Sequence, residues 1–286
     1  MTADIETGAV HEDGAVQPAP PLVRRRSKRH RAMIAVLATQ LVILALLLAL
    51  WERATSSDRA LAFMFGSPSA IGGFLVQMLH DGSLVQDTYT TGLETLLGFV
   101  VGNFIGTLVG LSLWYSRFVS RVVEPFVIAL GSIPIIALAP IIIIWFGTGL
   151  ISKVAMSTLS VVIVALVTSY KGAVGVDPDQ INLMRTLGAS KFQIFRKLVV
   201  PASLTDIFAG LKLTVGFALI GAIVGEFMSS SEGLGHAIFK AGSLYVIPKV
   251  FAALVVTIAL ALFLTFMVGK IERLLMPWRR QLDFGR

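Results

Sequence analysis

The sequence predicts an all-α polytopic membrane protein with about six transmembrane helices. Of its 286 residues, 55% are hydrophobic and only 14% are charged, whereas a soluble domain has about 25% charged residues. A chain with so few charges cannot cover a water-facing surface, and its mean hydropathy of +0.81 agrees. The apolar stretches are long enough to cross a bilayer as helices. This composition argues against a soluble enzyme, a disordered protein and a nucleic-acid-binding domain.

The N-terminal part of the chain divides into a tail, a first span and an external segment. Residues 1–32 are polar and end in a basic run from Arg24 to Arg31, so we expect a disordered basic cytoplasmic tail. The basic run either fixes the orientation of the first span or binds anionic lipid headgroups. Residues 33–51 form the first predicted transmembrane helix, which is longer than the apolar region of a signal peptide. Residues 52–87 are predicted to be an external or interfacial segment with short helices.

The remaining spans belong to a predicted core at 88–270, which a basic cytoplasmic tail at 271–286 follows. The predicted spans of this core cover about 88–114, 122–146, 154–170, 204–228 and 250–268. A polar, amphipathic loop at 171–203 separates the fourth span from the fifth. Of the Lys and Arg residues, 18 lie on the side of the N-terminus and 5 on the opposite side, with Lys212 left inside the fifth span. The positive-inside rule therefore places both termini in the cytoplasm.

The second predicted span has a glycine at every fourth position. Because four residues are close to one helical turn, these glycines share one helix face. They are Gly98, Gly102, Gly106 and Gly110. Small residues let a neighbouring helix approach closely, which is a source of packing energy in lipid. We therefore expect helix packing inside the chain, with a role in transport or in dimer formation as the alternative.

The third predicted span is interrupted by Pro134 and Pro140, each of which removes a backbone donor. A broken helix is tolerated at membrane depth where protein or a water-filled cavity satisfies the freed carbonyl groups. The break therefore identifies candidate pathway-lining residues, with a kinked packing helix as the alternative. The candidates are Ser132, Pro134, Ala137, Pro140 and, at the external end of the fifth span, Glu226.

No catalytic centre and no metal site are predicted. The chain has no cysteine, and its four histidines are scattered along the sequence. The acids near the predicted spans have no spacing that suggests paired acid–base chemistry; they are Glu94, Glu124, Asp206 and Glu226. The sequence also contains no phosphate-binding glycine loop. We therefore expect no cofactor on this chain.

The loop at 171–203 holds the most informative pattern. Asp177 before Pro178 is a helix-start signal, and apolar residues then recur every three or four positions on both sides of Gly188. The pattern predicts two short amphipathic helices with a bend at Gly188, Ala189 and Ser190. Exposed cytoplasmic helices of this kind suit docking into a groove of another protein, whereas a helix lying on the lipid surface is the alternative.

This loop resembles the EAA loop of membrane permease subunits from binding-protein-dependent ABC importers. That loop has Glu-Ala-Ala, three residues, Gly, nine residues and Ile-x-Leu-Pro. Gly188 and Pro201 stand at the family spacing, with Leu198 and Val200 at the two aliphatic positions. The Glu-Ala-Ala positions have diverged to Asn182, Leu183 and Met184. Segments at 64–71, 133–147 and 226–235 also resemble the family.

The resemblance covers about residues 60–270 and points to the nitrate, sulfonate and taurine branch. It implies a type I ABC importer permease fold in the cytoplasmic (inner) membrane of a prokaryote. The chain would form the translocation pathway for a small, anionic solute together with a second permease chain, expected to be identical. An integral-membrane enzyme and a membrane scaffold without transport are the alternative functions.

The resemblance also implies the partners of the chain. ATP and Mg would bind to a cytoplasmic ATP-binding-cassette ATPase dimer, and a periplasmic or lipid-anchored binding protein would deliver the solute. Membrane lipid would surround the spans, and no nucleic acid is expected. The residues implied to couple the chain to the ATPase are Asp177, Asn182, Leu183, Met184, Gly188, Ala189, Ser190, Leu198 and Pro201.

Overall fold

A computed structural model describes residues 25–276 of the protein, and every regular element in that range is a helix. Within this range, the residues up to Arg53 form one unit and the residues from Ala54 onward form the other. The helices of the described range are α1 (Arg25–Ser57), α2 (Arg59–Phe65), α3 (Pro68–His80), α4 (Ser83–Leu113), α5 (Arg117–Gly131), α6 (Ile135–Phe146), α7 (Leu150–Val174), α8 (Pro178–Thr186), α9 (Lys191–Ile194), α10 (Val200–Ser229), α11 (Leu234–Ser243) and α12 (Ile247–Leu275).

The first unit contains most of the long helix α1, which differs from its predicted limits at both ends. Its apolar part, Ile34–Ser57, is long enough to cross a membrane. Helix begins already at Arg25, so the last part of the segment predicted to be a disordered tail is helical, in keeping with the high helix propensity of Arg, Lys and Ala. The earlier part of that segment lies outside the described residues. The helix also continues beyond Trp51, where we placed the end of the span.

The second unit contains four long spanning helices and two bent helix pairs. The long helices are α4, α7, α10 and α12. The pair α2–α3 is bent by 43° and the pair α5–α6 by 91°. By length and composition the described chain has five spanning helices, or up to seven if each bent pair is one span. Six spans result if α5–α6 crosses the membrane while α2–α3 lies at its surface, as predicted for residues 52–87.

The third predicted span proves to be two helices joined by a sharp turn. α5 ends at Gly131 and α6 starts directly after Pro134, which occupies the capping position. The break falls here because the residue before a proline is disfavoured in helical conformation. Pro140 lies inside α6 and does not break it. The prediction of a break at Pro134 is confirmed, and the prediction of a second break at Pro140 is wrong.

The glycine face of α4 packs against α7 of the same chain. A Cβ atom added to Gly102 would lie 2.8 Å from the Cβ of Val161 and 2.9 Å from the carbonyl oxygen of Thr158. Gly98, Gly106 and Gly110 meet α7 at least as closely. Only glycine therefore permits this separation of the two helix backbones, and the contact fixes α4 beside α7 through the middle of the unit.

An ion pair joins α10 to α12. Lys212, which the sequence left unexplained inside the fifth span, pairs through its Nζ with Glu272. The Glu272 carboxyl group is largely enclosed, with 10% of its side chain exposed. A charge at this depth is tolerated because an opposite charge from the neighbouring helix accompanies it.

Candidate functional site

The loop at 171–203 folds as two helical pieces with the predicted bend between them. The Asp177 carboxylate accepts a hydrogen bond from the Asp179 backbone N–H at 2.9 Å and thereby caps α8. Gly188 has a φ of +79°, which favours glycine and ends α8. A capping box then starts α9, because the Ser190 hydroxyl accepts from the Gln193 N–H and the Gln193 side chain accepts from the Ser190 N–H. These local signals explain why the sequence located the bend correctly.

The second helical piece is continuous with the fifth span. A π-helical segment, Phe195–Val199, joins α9 directly to α10. Pro201 follows in the first turn of α10, where a proline cannot donate to the carbonyl group four residues earlier. A π-helical turn is a local widening of the helix and is frequent at functional positions. The loop is therefore joined to a spanning helix without an intervening hinge of irregular chain.

One side of the loop exposes large apolar side chains. Leu183 of α8 is 61% exposed, Leu187 directly after α8 is 74% exposed, and Phe192 of α9 is 61% exposed. We call these three residues the docking face. Ile181 and Met184 of α8 pack inward instead. A group of exposed apolar residues on an otherwise polar loop is typical of a surface that contacts another protein.

The other side of the loop rests on a buried apolar cluster. Its buried members are Ala173, Val176, Ile194 and Val199, and its partly buried members are Leu111, Trp114, Ile181, Met184, Ala189, Phe195 and Leu198. The cluster joins the loop and the π-helical segment Phe195–Val199 to the ends of α4 and α7. Of the residues implied to couple to an ATPase, Met184, Ala189 and Leu198 thus support the loop from inside, whereas Asn182 and Leu183 are exposed.

Lys191 fastens the loop to the end of α4. Its Nζ donates a hydrogen bond to the Tyr115 carbonyl oxygen at 2.6 Å and lies 6.0 Å and 5.7 Å from the ring centres of Trp114 and Tyr115. Phe195 packs against the same two rings at 5.6 Å and 4.8 Å. A cation above aromatic rings is attracted by their negative faces. Sequence reasoning missed this anchor; the only signal was an adjacent Trp and Tyr at the end of a span.

Four of the five predicted pathway residues lie together around the α5–α6 break. Ser132, Pro134, Ala137 and Pro140 are all exposed. Ala139, between them in sequence, is fully buried against Met156 of α7 and its neighbours. α6 therefore has one packed side and one open side, and the open side carries the predicted residues.

The fifth predicted residue, Glu226, is buried elsewhere and holds the start of α11. Its Oε1 accepts from the Thr91 hydroxyl at 2.6 Å, and its Oε2 accepts from the Gly235 N–H at 2.5 Å. The Thr91 hydroxyl in turn accepts from the Leu234 N–H at 2.8 Å. These contacts satisfy backbone donors that have no partner within the first turn of a helix. Thr91 was missed because a hydroxyl inside a long helix has no sequence signature.

A cavity of about 700 Å³ lies beside this cluster, at the end of α7 opposite to the loop. Glu94 and His236 line it, together with Lys153, which donates hydrogen bonds to the carbonyl oxygens of Thr148 and Ser229. Within the described part of the chain, no group of three or more His, Asp and Glu side chains could hold a metal ion. Lys153 therefore joins the start of α7 to the end of α10.

Thr91→Val is expected to lower the free energy of unfolding by about 2 kcal/mol, because valine keeps the shape of threonine but leaves the buried Leu234 N–H without an acceptor. Denaturant unfolding of the purified protein in detergent measures this difference. Thr257→Val is the matched control, since among residues 25–276 that hydroxyl bonds only to the Ala253 carbonyl oxygen of its own helix. Its expected cost is about 0.5 kcal/mol. An equal loss of unfolding free energy in the two variants would show that the Thr91 hydroxyl does not stabilise the start of α11.

Comparison with known proteins gives consistent matches. Residues 102–276 match the family described as "Binding-protein-dependent transport system inner membrane component". A probable ABC transporter permease protein of Haemophilus influenzae is 33% identical over 80% of this chain and 92% of its own length. The riboflavin transport system permease protein RibX of Chloroflexus aurantiacus is 33% identical over 83% of this chain and 88% of its own.

More distant matches agree with these. The taurine transport system permease protein TauC of Escherichia coli is 25% identical over 72% of this chain and 75% of its own length. Among solved structures, an inward-facing conformation of the MetNI methionine ABC transporter aligns with a TM-score of 0.60 and 23% identity, covering 66% of this chain and 94% of the matched chain. The structural match shows the fold, which is that of an ABC importer permease.

Proposed function

The chain belongs to the family of binding-protein-dependent transport system inner membrane components and is a permease subunit of an ABC importer, and we propose that its docking face transmits the action of a partner ATPase to the spanning helices. The observation that carries this proposal is the two-sided construction of the loop. Leu183, Leu187 and Phe192 are exposed on one side, while the other side is packed on the ends of spanning helices.

The contacts of the loop favour transmission of force. A partner that displaced α8 would move the apolar cluster, because Ile181 and Met184 are packed in it. The Lys191 contacts extend this connection to α4, and the π-helical segment Phe195–Val199 extends it to α10. α4 is held to α7 by its glycine face, so these helices would move as one body. Rigid helical units that rock about a central site are the basis of alternating access.

We propose that a second, identical permease chain lies across the open side of α6 and of the second half of α5. Large apolar side chains are exposed along both helices, for example Phe126 and Ile144. Ser132, Pro134, Ala137 and Pro140 would then line a pathway between the two chains. Both termini would be cytoplasmic, with ATP and Mg bound to the ATPase dimer.

For the solute we propose a small anion delivered by a periplasmic or lipid-anchored binding protein. Support comes from relatives that are named as permeases for aliphatic sulfonates and for taurine. Other relatives are named as permeases for formylaminopyrimidine and riboflavin. The relatives therefore differ in their solutes, and the proposal of an anion rests on the sulfonate and taurine permeases. A thermal-shift screen of the partner binding protein against sulfonates, nitrate and uncharged vitamins tests this choice; stabilisation by an uncharged vitamin alone would contradict it.

Uptake into proteoliposomes that contain the permease, its ATPase and its binding protein tests the pathway. We expect Ala137→Trp to reduce ATP-dependent uptake at least about 10-fold, because an indole at an exposed position of α6 would fill the pathway, whereas Ala259→Trp at an exposed position of α12 should leave uptake unchanged. The neighbouring Ala139 of α6 is not suitable for a tryptophan substitution, because its side chain is buried. Unchanged uptake by Ala137→Trp would show that this side of α6 does not line the pathway.

A further inference from the structure

We propose that a basic cavity beside α8 binds a phosphate-bearing anion and that the anion is the headgroup of an anionic phospholipid in the cytoplasmic leaflet. The cavity has a volume of about 540 Å³ and lies between α5, the end of α7 and α8. It is separate from the docking face, none of whose three residues lines it. The choice of leaflet rests on the orientation given under the proposed function.

Three arginines from two helices line the cavity. Arg117 and Arg121 are four residues apart and share one face of α5, and Arg185 lies on the opposite wall, on α8. Glu124 is the one acidic residue of the lining. None of the three arginines forms an ion pair with an acid among the residues that the structure describes. The cavity therefore carries excess positive charge, and guanidinium groups bind phosphate oxygens in a bidentate manner.

The wall that carries the arginine pair is fixed in place. Ser120, between the two arginines, is buried and hydrogen-bonded through its hydroxyl to the Tyr170 hydroxyl of α7. This contact holds α5 against α7 at the cavity. A fixed helix holds the backbone positions of both arginines at a constant separation, so only their side chains have to be ordered when an anion binds between them.

The surroundings favour a lipid over free phosphate as the source of the anion. Phe118 and Val122, each next in sequence to a cavity arginine, are 78% and 48% exposed. Exposed apolar residues beside basic ones, at the end of a spanning segment, match the boundary between acyl chains and headgroups. Basic pockets between helix ends on the cytoplasmic side are suited to anionic headgroups. A bound headgroup would bridge α5 and α8, and so would hold the loop in its observed position.

Native mass spectrometry of the full-length permease, titrated with phosphatidylglycerol, tests this proposal. We expect Arg117→Gln with Arg121→Gln to weaken phosphatidylglycerol binding about 25-fold, at about 5-fold for each basic residue near an anionic surface. The control is Lys270→Gln with Arg273→Gln at the end of α12, which removes the same charge on the same side of the membrane. The control should leave phosphatidylglycerol binding unchanged, because neither Lys270 nor Arg273 lines the cavity.

Each other outcome has a defined meaning. Equal weakening by both double variants would show general attraction to a basic surface and would overturn the site. Displacement of phosphatidylglycerol by millimolar inorganic phosphate, or equal binding of phosphatidylglycerol and phosphatidylcholine by the wild type, would overturn the lipid as the source. Because the titration needs neither ATPase nor binding protein, its failure is distinguishable from a failure of the proposed transport function.

Discussion

Leu183→Glu combined with Leu187→Glu is expected to abolish co-purification of the permease with its ATPase. Both side chains are largely exposed, so two glutamates are tolerated by the isolated chain. In the complex, the apolar surfaces around them would have to accept unpaired charges, which is costly. We expect the affinity for the ATPase to fall about 100-fold, as for the loss of two central interface residues. Pull-down from co-expressing cells measures the effect, and thermal unfolding of the free permease checks its fold.

Leu244→Glu is the control for this pair. Leu244 is 65% exposed and follows α11, at the end of the molecule opposite to the loop. A glutamate there changes charge and exposed apolar area as much as one at position 183. ATPase recovery should therefore equal that of the wild type. Full recovery with the double variant, or equal loss with Leu244→Glu, would show that the docking face does not bind the ATPase.

Gly106→Ala is expected to destabilise the permease by about 3 kcal/mol. A Cβ atom at this position would meet the carbonyl oxygen of Val162 and, at 2.7 Å, the Cβ of Ala165. The backbone of α7 cannot move aside without separating the two helices along their whole glycine face. Denaturant unfolding in detergent should show the loss in stability, and transport by the reconstituted protein should fall with it.

Gly92→Ala in the same helix separates packing from helix propensity. A Cβ atom at Gly92 would lie 3.8 Å from the Cδ1 of Leu260, which is an ordinary contact. Alanine favours helix over glycine by about 1 kcal/mol, so this variant should be as stable as the wild type or more stable. If Gly106→Ala proved as stable as Gly92→Ala, the close packing of α4 on α7 would not contribute to the stability of the permease.

Features that are encoded locally were predictable from the sequence. The spans follow from the length of apolar stretches, and α8 follows from Asp177 and the apolar periodicity after it. The bend at Gly188 and the start of α9 at Ser190 are each determined by residues within one helical turn. The glycine face of α4 was visible because its period equals that of the helix.

Features that depend on distant parts of the chain were not predictable. Lys191 binds Tyr115, 76 residues earlier, and Thr91 binds Glu226, 135 residues later. No local pattern pairs such residues. The same limit applies to Glu226, because its acidity was visible in sequence while its partners on α4 and α11 were not. Likewise, both prolines of the third span looked alike, although only Pro134 lies at a helix boundary, directly before the start of α6.

Site-specific cross-linking tests the central claim most directly, and the absence of cysteine from the chain makes it straightforward. Leu183→Cys provides a single thiol on the docking face, and Leu244→Cys provides one at the opposite end. With a short thiol-to-amine reagent in membranes that contain the whole transporter, we expect Leu183→Cys to cross-link to the ATPase and Leu244→Cys not to do so. A cross-link to the ATPase from position 244, with none from position 183, would contradict the account.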